Sequence, residues 1–451
     1  MTLRLPPPVR RHIVEPFWNW STRQGLLEAE RALDRTQWLP AADVEQRQLK
    51  ALRALLTEVA AINPFYRARF AAAGLEPAAL QSLEEFRRLP VLTKAMVRQQ
   101  TEDLLSTGFE RSSLMRAKTG GSTGKALDLY FTEEVSRLRN AFGRRRRTWA
   151  GWQVGEPMGA VWGNPEQATE FRAKLRDWLL GPTITLDTMS MTKDAVRQFE
   201  REWRTMRPTL LFGHAHSIYI LSCLVDELRL TGIRPNAIVS SSMMLVPHER
   251  AVIERVFGTR VTDFYGCEEV GGIASECERH EGMHINADQL IVEVLREDGT
   301  PAGPGEFGAV VVTDLLNLAM PMIRYRIEDM AEVSDRPCSC GRGLPTIRRI
   351  VGRTADFLVR RDGSRVAGIS LIENSLTDLP GIDQMQIVQE TLDHVTLRVV
   401  PGAGFTPDVE AALTRYFEGQ FPGAAIALER VTAIAQEANG KYRFSICRVQ
   451  P

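Results

Sequence analysis

Arg260-Val261-Thr262-Asp263-Phe264 reads as a strand, and it runs into Tyr265-Gly266-Cys267-Glu268-Glu269, an aromatic, a glycine turn and two carboxylates. Upstream, Thr209-Leu210-Leu211-Phe212 is a short apolar run that stops at Gly213. Ser217 to Leu228 has helical spacing, Asn236-Ala237-Ile238-Val239 is a second apolar run, and Pro247 to Phe257 is again helical. Strands alternating with helices predict βαβ units and a mainly parallel sheet. Ligands of such sheets bind beyond the carboxyl ends of the strands, where residues 265–269 fall.

Downstream the pattern changes. Ile291 to Leu295 and Ala309 to Thr313 are strand-like runs around a Gly- and Pro-rich turn at 299–308, which predicts an antiparallel subdomain. Beyond Gly352-Arg353-Thr354-Ala355 new strand and helix patterns begin, at Met385–Gln389, Val395–Val400 and Val409–Phe417. The expected fold class is α/β: a large N-terminal domain, residues 1–354, with parallel-type sheets and an antiparallel subdomain. A small α+β domain, residues 355–451, follows on a short linker and is free to rotate as a body. Toward the N-terminus, residues 22–60 carry leucines at helical spacing and predict an amphipathic helix. Glu134 to Trp149 predicts another helix, and Ala126 to Phe131 a strand.

Bulk properties narrow the function. Lys plus Arg and Asp plus Glu both number 56, so no global charge draws the chain to nucleic acid or an anionic membrane. No apolar run approaches the ~18 residues that span a bilayer, and residues 1–20 do not read as a secretory signal. Six cysteines in 451 residues are no disulfide framework, so a cytoplasmic location is expected. The run Arg144-Arg145-Arg146-Arg147 is either a solvated helix face or a docking surface for phosphates or an acidic carrier protein.

Five motifs carry chemistry. Lys118-Thr119-Gly120-Gly121-Ser122-Thr123-Gly124-Lys125 is either an anion cradle of amides, hydroxyls and a Lys or a flexible hairpin. It is not a Walker A loop, since Thr119 and Ala126 stand where that pattern needs Gly and Ser or Thr. In the second motif Tyr265 can stack on a base and Glu269 can hold Mg²⁺ against phosphate oxygens; alternatively the acids cap a following helix. In the third, Pro321-Met322-Ile323-Arg324-Tyr325-Arg326-Ile327-Glu328-Asp329, the terminal Asp can accept two ribose hydroxyls or form a surface ion pair with one of the arginines. Gly352-Arg353 is the fourth. Asn439-Gly440-Lys441 is the fifth, a turn presenting a Lys that can neutralise charge building in a transition state.

In this order the motifs resemble the adenylate-forming (acyl-CoA synthetase) superfamily, most of all its phenylacetate–CoA ligase and CapK-like branch, over residues 40–447. The resemblance implies an ATP-dependent acid–thiol ligase: a small aromatic acid and ATP give an acyl-adenylate, a C-terminal lid rotates, and CoA or another thiol or amine takes the acyl group. It implies that Thr119, Gly120, Gly121, Ser122, Thr123, Gly124 and Lys125 handle the β,γ-phosphates and that Tyr265 and Gly266 flank adenine. Glu269 then binds Mg²⁺, Asp329 and Arg353 hold the ribose, and Lys441 is the catalytic lid lysine. A CoA or carrier-protein acceptor and a homodimer are the partners it implies. Three positions depart from the branch: Glu268 replaces a hydroxyl residue, Met243 replaces an acid, and Ala355 replaces a charged hinge residue. The first two also suit a nucleotide-binding or scaffold protein descended from such an enzyme.

Cys277-x-x-His280 and Cys338-x-Cys340 offer four donors of the kind a structural tetrahedral Zn²⁺ takes, with His284 as the alternative to His280. Such a site would pin the loop after Glu269 to the loop after Asp329.

Overall fold

The computed structural model describes residues 5–21, 25–118, 127–162, 179, 181–188, 191–353, 357–362, 365–368, 371–372, 375, 379, 381–435 and 443–449. Its centre is one sheet of eleven strands. Five of them, β3 (Met158–Trp162), β4 (Thr183–Asp187), β5 (Leu210–His214), β6 (Ala237–Ser241) and β7 (Val261–Cys267), run parallel in the order 4-3-5-6-7. The antiparallel remainder is β8 (Gly271–Glu276), β9 (Met283–Ile285), β10 (Leu290–Leu295), β11 (Phe307–Asp314), β12 (Tyr325–Val333) and β13 (Thr346–Arg353). The expected parallel sheet and antiparallel subdomain are therefore two halves of a continuous surface.

Strand β7 joins the halves. Its first residues pair in parallel with β6, through Asp263, and from Phe264 onward it pairs antiparallel with β8. The parallel strands are apolar on both faces because helices cover both. The helices Lys193–Met206, Ala215–Glu227 and Pro247–Phe257 bury Phe199, Trp203, Ile218 and Ile253 against Val161, Leu211 and Ile238 on one face. The helix Glu133–Trp149 lies on the other, capped at its start by the Thr132 hydroxyl on the Val135 amide.

The predicted helix at 22–60 is two helices, Leu26–Thr36 and Ala41–Ile62. Pro40 separates them: its ring fixes φ and its missing N–H suits a helix start rather than an interior. Hairpin strands β1 (Met115–Lys118) and β2 (Asp128–Phe131) are antiparallel, Lys118 opposite Asp128. In the C-terminal region β14 (Phe357–Val359) pairs with β15 (Arg365–Ala367). There β16 (Ile382–Thr391), β17 (His394–Pro401), β18 (Ala425–Arg430) and β19 (Ser445–Cys447) form a separate four-stranded sheet. The helix Pro407–Gln420 buries Leu413 and Phe417 in a core made only of residues from this region. No helix among the described residues is long and apolar enough to cross a membrane.

Candidate functional site

The site begins where β7 changes partners. Gly266 is required by close approach: a Cβ there would stand 2.8 Å from the Gly271 carbonyl oxygen. No helix follows. The chain turns directly into β8, so the two carboxylates cap nothing and separate instead: Glu268 is exposed and Glu269 buried. The Glu269 carbonyl accepts from Arg139 Nη2 at 3.0 Å, and the same nitrogen pairs with the buried Asp314 at 2.8 Å. Arg139 thus anchors the turn from the neighbouring helix, a role that nothing in its local sequence announces.

Two reciprocal hydrogen bonds connect this turn to β12. Tyr265 Oη donates to Asp329 Oδ2 at 2.8 Å, and Tyr325 Oη donates to Glu269 Oε1 at 3.0 Å. Burial and the facing carboxylates push both phenols above their ordinary range, so both remain donors. The Tyr265 ring packs in the main core, with Leu129 and Ile273 among its members. Asp329 stands opposite Arg353 across the β12–β13 ladder. β12 is bulged between Arg326 and Met330, where Glu328 takes positive φ, and across that bulge Tyr325 and Asp329 of one motif both reach the β7 turn. The contact itself marks Tyr325 as a positioning residue.

Arg324 is not a surface partner for Asp329. It is buried, its Nε and Nη2 pair with Glu293 at 3.0 and 3.1 Å, and its Nη1 donates to the carbonyls of Arg87 and Leu89. Arg324 and Glu328 both adopt positive φ, 49° and 77°, which is uncommon away from glycine. Thr119, Gly120, Gly121, Ser122, Thr123, Gly124, Lys125 and Lys441 lie outside the described residues, as does Ala355. For Arg353 the place in β13 is described.

At the carboxyl ends of the parallel strands Trp162 stacks on Phe212, 5.3 Å between centroids and 13° between planes, and lies 4.1 Å from the His214 ring. Trp152 belongs to the core beneath, packed with Leu210, Ala237 and Val239. After β6, Met243 is half-buried in a loop where Ser242 adopts φ 64°.

The Cys/His cluster forms, with a correction. The donor atoms of Cys277, His284, Cys338 and Cys340 all lie within 4.8 Å of one another. His280 is not among them: it sits at φ 56° in the turn after Cys277, and its Nδ1 meets Glu276 at 3.0 Å. His284 is on β9, buried, with Nδ1 toward the Leu344 carbonyl and Nε2 3.3 Å from Cys340 Sγ. Cys277 and Cys338 sulfurs are 3.6 Å apart. Zn–S bonds of about 2.3 Å at a tetrahedral centre place sulfurs about 3.8 Å apart, so the spacing fits. Burial brings the His284 imidazole down to about 4, which keeps it in the neutral, ligating form.

The arginine run is not a solvated face. Arg144 pairs with Glu15 and Glu30, and Arg145 with Asp288. Arg145 and Arg146 are buried, and Arg147 lies over the Trp152 ring.

Comparison with known proteins agrees with this architecture. No protein-family model matches the chain. Phenylacetate-coenzyme A ligase of Thermus thermophilus is 27% identical over 375 residues, 80% of this chain and 82% of that protein. Protein CapK of Staphylococcus aureus is 22% identical over 80% of each chain. Among solved structures, 2-hydroxyisobutyryl-CoA ligase in the postadenylation state superposes with a TM-score of 0.74 at 20% identity, covering 92% of this chain and 91% of that one. The fold and the ordered motifs define an adenylate-forming enzyme, an AMP-forming acid–CoA ligase by class. Within that superfamily the chain is most similar to the branch of the phenylacetate–CoA ligases and CapK.

Proposed function

We propose that this chain activates a small aromatic carboxylic acid with ATP to an acyl-adenylate and pyrophosphate and then transfers the acyl group to CoA. The observation that carries the reading is the crossed pair of hydrogen bonds, Tyr265 to Asp329 and Tyr325 to Glu269. It fixes two carboxylates, one buried and one partly exposed, on two motifs far apart in sequence.

Asp329, an acceptor-only group, would take the ribose hydroxyls, with Arg353 opposite it on the ladder. Tyr265 and Gly266 would lie along the adenine. Residues Thr119 to Lys125, which lie between β1 and β2 in sequence, would hold the β,γ-phosphates. Glu269 fits Mg²⁺: it is a buried carboxylate held at one oxygen by Tyr325, and Mg²⁺ prefers one or two carboxylates plus substrate phosphates. The ion would supply charge neutralisation at the phosphates; Tyr325 holds the carboxylate in place for it. Lys441 would approach the reacting carboxylate and α-phosphate from the C-terminal domain, residues 355–451, acting as a mobile lid. Trp162, Phe212 and His214 supply an aromatic wall suited to a ring-bearing acid. The hydrogen bond that holds the Glu269 carboxylate favours an active enzyme over a catalytically altered nucleotide-binding protein.

Zn²⁺ on Cys277, His284, Cys338 and Cys340 would be structural, its four positions filled by protein. It would tie the β8–β9 region to the 334–345 segment between β12 and β13. A CoA acceptor is supported by a related fold solved with 2-hydroxyisobutyryl-AMP and CoA bound.

The test is product analysis. Incubation with an aryl acid, ATP, Mg²⁺ and CoA should yield acyl-CoA and AMP, not ADP, and Glu269→Gln should lower the rate by about 100-fold or more, the scale on which lost transition-state charge stabilisation is felt. ADP as product, or turnover unchanged in that variant, would sink the reading.

A further inference from the structure

Burying a guanidinium without an acid to meet it is costly, and proteins rarely do it without a use. Arg146 is buried, and its Nε and Nη1 have no hydrogen-bond partner. Among the described residues no carboxylate lies within ion-pair distance of it or of Arg147, although Arg144 and Arg145 in the same turn both have acids. What Arg146 has instead is aromatic surface: its Cζ is 3.5 Å from the Phe264 ring centroid and 5.4 Å from that of Phe212, while Arg147 is 5.8 Å from Phe212. Desolvation, then the neighbouring Arg147 charge, lowers the pKa of Arg146 well below the ordinary arginine range, as expected for a cation that lacks its anion.

The place is specific. Phe212 is the ring on which Trp162 stacks, beside His214, at the carboxyl ends of β3 and β5. Phe264 immediately precedes Tyr265, on the opposite face of the strand. Two cations without acids among the described residues therefore adjoin the aromatic wall assigned above to the acid.

We propose that Arg146, seconded by Arg147, is the specificity-determining group of the acid site and recognises a second carboxylate, carried by the acid at the end remote from the one that reacts. The inference rests on the ligase reading and narrows it to acids with a distal anionic group. The planar guanidinium presents paired donors that match a carboxylate, and the aromatic faces hold it in orientation. A site built around a buried donor rejects analogues that leave the donor unmatched.

ATP–pyrophosphate exchange tests it on the full chain without CoA. The probes are α,ω-diacids from malonate to adipate and 3- and 4-carboxyphenylacetate, each against its monocarboxylate counterpart. The expected result is a preference of about tenfold or more in kcat/KM for the best dicarboxylate. That ratio should fall to near one in Arg146→Met and be partly kept in Arg146→Lys. Because the ratio is taken within each variant, a smaller folded fraction does not affect it. Exchange with monocarboxylates at no disadvantage overturns the inference and leaves the ligase reading standing. Equal losses on both acid classes in Arg146→Met assign a packing role and overturn it too. Unchanged exchange with a loss only in acyl-CoA formation assigns Arg146 to the phosphates of CoA, again overturning it. Absence of exchange with every acid overturns both readings.

Discussion

The hydroxyl of Tyr265 donates to Asp329 at 2.8 Å, tying the end of β7 to β12 across the seam where the parallel half of the sheet meets the antiparallel half. The tyrosine acts through its hydroxyl as well as its ring: it orients the carboxylate that the ribose would meet. Tyr265→Phe keeps the ring and removes the donor. Hydrogen bonds to charged groups contribute about 1.5–3 kcal/mol, so KM for ATP should rise about tenfold or more while the preference among acids stays the same. Steady-state kinetics with varied ATP check this, and an unchanged KM would show that Asp329 holds its place without Tyr265.

The Cys/His cluster makes a prediction about composition. The purified protein should carry one zinc per chain by elemental analysis. His284→Ala and Cys338→Ser should lose it and melt at lower temperature, whereas His280→Ala should retain it. Metal kept in His284→Ala and lost in His280→Ala would contradict the assignment.

Sequence and structure agree most closely where the signal is local. The runs around Leu210, Ile238 and Val311 are strands because an apolar run has few other ways to be buried, and Pro247–Phe257 is helical over its predicted length. What the sequence left open depends on partners far along the chain. Arg144 and Arg145 find acids 129 and 143 residues away, so composition alone made them look solvated. His280 has the spacing of a ligand, but the turn delivers it to Glu276, and the β9 strand delivers His284. The break at Pro40 was legible in principle, since a proline cannot sit mid-helix without a kink.

Ser242 carries a positive φ of 64° in the loop after β6. A side chain there costs roughly 1–2 kcal/mol relative to glycine. Ser242→Gly should therefore stabilise the protein by about 1 kcal/mol, read as a rise in melting temperature of about 1–2 °C for a chain of this size. A fall would mean that the Ser242 side chain makes a contribution larger than the strain.

Asp263 gives a pH signature. Burial and, secondarily, the nearby Glu276 carboxylate push its carboxyl up to about 7 from an ordinary 3.8. A raised folded-state pKa means stability that is fully present below about pH 4 and declines as pH rises through 7. Asp263→Asn keeps an oxygen for the Ser240 hydroxyl and the Phe264 amide, which now bond Oδ1. The variant should gain stability relative to the parent at pH 8 and little at pH 4. Denaturation at both pH values decides it, and an equal shift at each would remove Asp263 as the titrating group.

Acyl-adenylation is the step on which the nucleotide-site and acid-site assignments depend, and ATP–pyrophosphate exchange measures it most directly. Across aryl, fatty and dicarboxylic acids, the expected result is acid-dependent exchange that requires Mg²⁺ and is abolished in Lys441→Ala. No exchange with any acid, or exchange undiminished in Lys441→Ala, would contradict it.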